Sequence, residues 1–252
     1  MIIMAAAIGA VGLLLTVSAW GKIADAPQGS PGELLDWWLN SGARFELIRL
    51  ERGSGFVQKL FDTTPQWAHM PMATAYGLVQ PFLPATLMDS TSLPFPRAIG
   101  IFRGLGWFVL LPFLIYAPLA ATRAAGWRSL AFFLPSLVWV TAILVSFRLA
   151  GDFWDNPRAR AVFISVQVSV AGWSWTRARV TQSPWLRRIS TLVAGTTLIF
   201  LQWYAGRYYQ TPQLNLNATV ALVAAFVILL LGGAVYKDRT RGPRLTATPP
   251  EV

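Results

Sequence analysis

Between Ala218 and Val235 no side chain carries a charge. With its flanks, at 216–236, this run matches the roughly 20 apolar residues that a helix needs to cross the hydrocarbon core of a bilayer. A helix that is apolar on every side has no face to give to water, so it belongs in a membrane or deep inside a large protein. Four other runs have similar length and character, at roughly 99–121, 129–150, 159–176 and 189–209. Met1–Trp20 is apolar from its first residue, lacks the basic segment of a signal peptide and shows no convincing cleavage site near Trp20, so it reads as a retained helix. The mean hydropathy of +0.48 agrees. The predicted fold class is all-α: a polytopic helical membrane protein with about six transmembrane helices plus a re-entrant or interfacial segment.

That last segment is 68–88. Its length would span a bilayer, but Pro71, Gly77, Pro81 and Pro84 interrupt it. Broken backbone at membrane depth is tolerated where protein buries it or where it lines a wet cavity. Upstream, Ser30-Pro31-Gly32-Glu33 is a capping box, with a proline at the first helical position. It opens a short helix, Glu33 to Ser41, with Leu34, Leu35, Trp38 and Leu39 on one side, suited to the membrane interface. Gly53-Ser54-Gly55 breaks the chain before another short apolar-faced segment. The organisation expected is a transmembrane helix at 1–20, an extracytoplasmic loop region at 21–98, a helical membrane bundle at 99–236 and a basic tail at 237–252. The tail, Pro/Thr-rich at its end, has the composition of a disordered segment.

Charge sets the orientation. The 122–128 loop, the 176–188 loop and the last residues carry arginines and a lysine, and the first two contain no acid. Helix alternation puts all three on one side, which the positive-inside rule makes cytoplasmic. The 21–98 region and the Asp152 loop then face outward. A net charge of +10 could suggest nucleic acid. Here the basic residues flank apolar spans, so the expected partner is the lipid bilayer. There is no cysteine and one histidine, which excludes disulfides, thiolate sites and a multi-histidine metal site.

Between 129–147 and 161–176 the chain reads Arg148-Leu-Ala-Gly-Asp152-Phe-Trp154-Asp155-Asn156-Pro157-Arg158-Ala-Arg160. Asn156-Pro157 marks a turn, with the asparagine read as a cap and the proline at the first helical position. With the alternation above, Arg97, Arg103, Arg148, Arg158, Arg160 and Arg207 fall near one membrane face. Guanidinium forks match phosphate oxygens in pairs, so this group is a candidate site for a lipid phosphate or pyrophosphate. For any one arginine, snorkelling or pairing with Asp152 and Asp155 is the plainer reading. Those two aspartates and His69 are the candidate acid–base residues, and Tyr76, Gln80 and Trp154 candidate binding residues. Capping and packing are the plainer roles for all six. No cofactor motif is present.

The segment Gly151–Arg160, with Tyr76-Gly-Leu-Val-Gln80-Pro-Phe-Leu-Pro-Ala85, resembles the C-terminal membrane region of bacterial polysaccharide-assembly proteins, large integral-membrane glycosyltransferases of the polyprenyl-phosphate-sugar type. The resemblance implies a bacterial inner-membrane protein with an outward-facing site for a polyprenyl-phosphate-linked sugar. Those enzymes carry an acidic pair in the first outer loop, whereas Asp25, Glu33 and Asp36 here are not adjacent. The expectation is therefore a part of a longer protein, or a chain that works with other membrane subunits. The rival expectation is a non-enzymatic scaffold or transport subunit.

Overall fold

The computed structural model describes residues 61–90, 92–150, 152 and 155–240, with scattered positions from 30 to 48. The expectations for 1–20, for 53–60, for Trp154 and for the end of the tail lie outside the described residues; of the short helix expected at Glu33–Ser41, the described residues Glu33, Leu35, Asp36, Trp37 and Ser41 are helical. Every element described is a helix: α1 (Gln66–Val79), α2 (Leu83–Met88), α3 (Pro94–Ala125), α4 (Leu130–Leu149), α5 (Asp155–Ala161), α6 (Ile164–Val180), α7 (Pro184–Tyr209) and α8 (Leu216–Thr240). Among them α3, α4, α7 and the Leu216–Asp238 part of α8 are long and apolar enough to cross a membrane. The chain is a multi-pass helical membrane protein.

The chain forms two compact units, Met1–Gly77 with Ser146–Asp152, and Leu78–Val145 with Phe153–Val252. In the first, Phe61, Ala73 and Ala150 form a small buried cluster. Its capping box closes as expected: the Ser30 amide donates to Glu33 Oε2 at 3.2 Å and the Glu33 amide to Ser30 Oγ at 3.4 Å.

The second unit is packed like a membrane bundle. Its spanning helices leave large apolar side chains on the outside, such as Phe102, Leu198, Ile228 and Leu229, while Gly100, Gly104, Ala117 and Ala121 of α3 are buried. Lipid tails are as apolar as leucine, so helices there associate through close backbone approach and polar contacts rather than through oil leaving water. Leu114 and Ala117 of α3 meet Val138 of α4 and Val170 of α6. Further along, Tyr116 and Ala120 meet Ala178 of α6 and Ile189 and Val193 of α7. Residue numbers rise together along α3 and α6, so those two helices run parallel. α7 and α8 form an antiparallel pair, with Phe226 against Gly195 and Asp238 against Arg188.

Helix boundaries follow local chemistry. α3 begins at Pro94 and α7 at Pro184, both earlier than the apolar runs suggest, because proline is well suited to the first turn. Ser183 caps α7 by accepting from the Trp185 amide. α3 ends at Gly126, whose φ of +76° is open to glycine at little cost. Inside α3, Pro118 has no N–H to give the Leu114 carbonyl four residues back. Trp139 Nε1 of α4 donates to that carbonyl instead, at 3.0 Å. The run expected at 159–176 is two helices, α5 and α6, separated by a turn at 162–163. α5 opens at Asp155, so Asn156 and Pro157 lie within its first turn rather than at the cap and first position. The proline fits there, since first-turn amides have no helical partner.

Candidate functional site

The 68–88 segment is not one straight helix. α1 runs through Pro71 to Val79, the chain breaks at the cis Gln80–Pro81 bond, and α2 begins at Leu83. A helix that stops at Val79 leaves its last carbonyls without intrahelical donors. Trp107 Nε1 of α3 donates to the Leu78 carbonyl at 3.1 Å. Arg160 of α5 donates through Nη1 to that same carbonyl at 3.1 Å and through Nη2 to the Gln80 carbonyl. Its guanidinium carbon lies 4.3 Å from the centre of the Trp107 ring. At the far end of α2, Arg97 Nη2 donates to the Leu87 carbonyl at 2.6 Å. Two arginines thus hold the two ends of one proline-broken segment.

Arg160 is 4% exposed, and no carboxylate contacts it among the described residues. Burial pushes its guanidinium down to about 10, which leaves it charged at neutral pH. The ring face and the carbonyl dipoles compensate that charge. Its Nε, and that of Arg97, is buried without a hydrogen-bond partner among the described residues. Gln167 of α6 bridges the α5–α6 turn by donating to the Arg160 carbonyl at 3.1 Å. Gln80 is buried, and its side-chain oxygen accepts from the Phe82 amide at 3.2 Å. Phe82 packs edge-on against Phe200 and Tyr204 of α7.

The segment sits close on α3 because Gly104 has no side chain. A Cβ there would lie 3.3 Å from both the Pro81 carbonyl oxygen and Thr86 Oγ1. Gly104 and Trp107 escaped the sequence reading, although Gly100-x-x-x-Gly104 is the small-residue spacing of close membrane-helix contacts.

The other candidate residues fall as follows. Arg158 is exposed and pairs with Asp155 at 3.2 Å. Arg207 is exposed, 5.8 Å from the Trp203 ring centre. Arg103 is partly buried on α3. His69, Tyr76, Arg148 and Asp152 belong to the first unit. His69 stacks on Phe61 at 4.3 Å, and its Nε2 donates to the carbonyls of Phe61 and Thr64, both at 3.1 Å. The structure thus brings Gln80, Arg97 and Arg160 to one segment, while Arg158 and Arg207 have partners of their own.

Comparisons with protein-family models, curated proteins and solved structures found no match for this chain.

Proposed function

We propose that this chain is a membrane protein of bacterial envelope polysaccharide assembly that binds a polyprenyl-phosphate-linked sugar beside the Gln80–Pro81 break. In this reading the Pro94 end of α3 faces away from the cytoplasm. The supporting observation is the buried Arg160 guanidinium, which together with Arg97 holds a broken backbone segment and needs no carboxylate to do so. Guanidinium groups that use only part of their donor set on carbonyls keep further donors for phosphate oxygens. Asp155 and His69 have structural partners, so lipid binding is better supported than catalysis by this chain alone. A second reading, a non-enzymatic subunit, is favoured by the Arg158–Asp155 pair and by Arg160 spending its bonds on its own chain.

Native mass spectrometry of the purified chain in detergent separates the two. The lipid reading expects polyprenyl phosphate to be retained over uncharged polyprenol, and Arg97→Gln to weaken that retention about tenfold. Equal retention of the two lipids, or an unaltered Arg97→Gln variant, would give the scaffold reading the field.

A further inference from the structure

At the opposite end of the second unit, where α3, α6 and α8 finish and α7 begins, lies a cavity of about 810 Å³. Arg123, Arg177, Arg187, Arg188 and Lys237 line it, with Asp238 as the only acidic lining residue among the described residues. Arg188 grips that carboxylate through both terminal nitrogens, each at 2.7 Å. Among the described residues, the other four cations therefore face the cavity with no acid lining it for them. Trp185 lies between two of the arginines, with the Arg123 and Arg188 guanidinium carbons 5.5 and 5.0 Å from its ring centre. The ring fixes those side chains where free ones would spread into solvent. Tyr116, Ala120 and Leu230 continue the wall into the bundle and give it an apolar floor.

We propose that this cavity is a binding site for the phosphate of an acidic phospholipid headgroup. Like charges drawn into one cleft repel each other, and an anion seated among them reverses the sign of the interaction. Planar guanidinium groups from α3, α6 and α7 suit the several oxygens of a phosphate better than a single carboxylate. The cavity is larger than a bare ion requires, and it opens at the ends of three candidate spans, the depth of lipid headgroups. Its apolar floor offers a path for the glycerol and the first acyl carbons. The proposal uses none of the residues of the polyprenyl-phosphate reading and stands or falls separately.

The full chain in neutral detergent, titrated with phosphatidylglycerol, phosphatidylcholine or inorganic phosphate and followed by native mass spectrometry and tryptophan fluorescence, provides the test. Phosphatidylglycerol is expected to bind in preference to phosphatidylcholine. Arg177→Gln with Arg187→Gln should weaken that binding about tenfold or more. Arg179→Gln removes the same kind of charge from a side chain that stacks on Trp175 outside the cavity, and should leave binding intact. Asp238→Asn releases Arg188 and should tighten binding, a gain that misfolding does not produce. Inorganic phosphate that binds with the same variant pattern, while phosphatidylglycerol does not, would keep the phosphate site and assign it to a soluble ligand. Equal binding of both lipids, or equal weakening by Arg179→Gln and the cavity variants, overturns the proposal. Loss of polyprenyl phosphate in Arg97→Gln but not in the cavity variants would keep the two sites distinct.

Discussion

Arg160 shows how much one side chain at a helix break can carry. It closes two carbonyls that the end of α1 leaves without donors, and it covers the face of Trp107. Removing it strips charged hydrogen bonds from a buried turn, so Arg160→Ala should lower stability by about 3 kcal/mol. Arg160→Lys keeps the charge but not the fork, and should recover only part of that loss. Thermal unfolding in detergent, read by tryptophan fluorescence, checks both. Gln210 gives a change of the opposite sign. It ends α7 in the left-handed region at φ 55°, and it is exposed. Gln210→Gly should stabilise the chain by about 1 kcal/mol in the same assay. At this scale the sequence was legible where chemistry is local. The Ser30–Glu33 box and the Arg158–Asp155 pair both follow from spacing. The partners of Arg160 lie some eighty positions away, at the end of α1 and in the break after it, and no local pattern announces them.

The elements were legible for a different reason: a bilayer sets their length, and Ala218–Val235 admits little else. Their ends were less so. Proline at first-turn positions lets α3 and α7 start before the apolar runs do, and charged residues carry α8 on to Thr240. The three prolines of 68–88 proved unequal. Pro71 is taken into α1, Pro81 marks the break and Pro84 opens α2. Trp107 and Arg160 supply donors to the carbonyls of Leu78 and Gln80, where the break falls. The contact of α2 with α3 rests on Gly104, and its contact with α7 on Phe82. Phe82→Cys with Tyr204→Cys, in a chain that has no cysteine of its own, should be bridged by a short bifunctional thiol reagent, because the two native rings meet with centroids 6.0 Å apart. Adding Gly104→Leu should push α2 off α3 and cut that cross-linking severalfold. Unaltered cross-linking would show that Gly104 does not set the approach.

Over the whole molecule, the three basic segments of the sequence come together in three dimensions. Arg123 from the first, Arg177, Arg187 and Arg188 from the second, and Lys237 from the third line one cavity. Charge counting anticipated that they share a side but read each arginine as a topology signal alone. Their convergence needed α3, α6 and α7 to pack as neighbours and α8 to lie against α7, which sequence alternation does not specify. The opposite end gathers the proline-broken segment with Arg97 and Arg160. The second unit is therefore a bundle with two chemically distinct ends, joined by helices long and apolar enough to cross a membrane. Impermeant thiol labelling of Asp155→Cys and Thr181→Cys, one per chain, tests that claim most directly. Both positions are exposed, and the parent chain has no cysteine. Position 155 should be labelled in intact cells, and position 181 only once the inner face is opened. Labelling of both from the same side, or of 181 alone in intact cells, would contradict it.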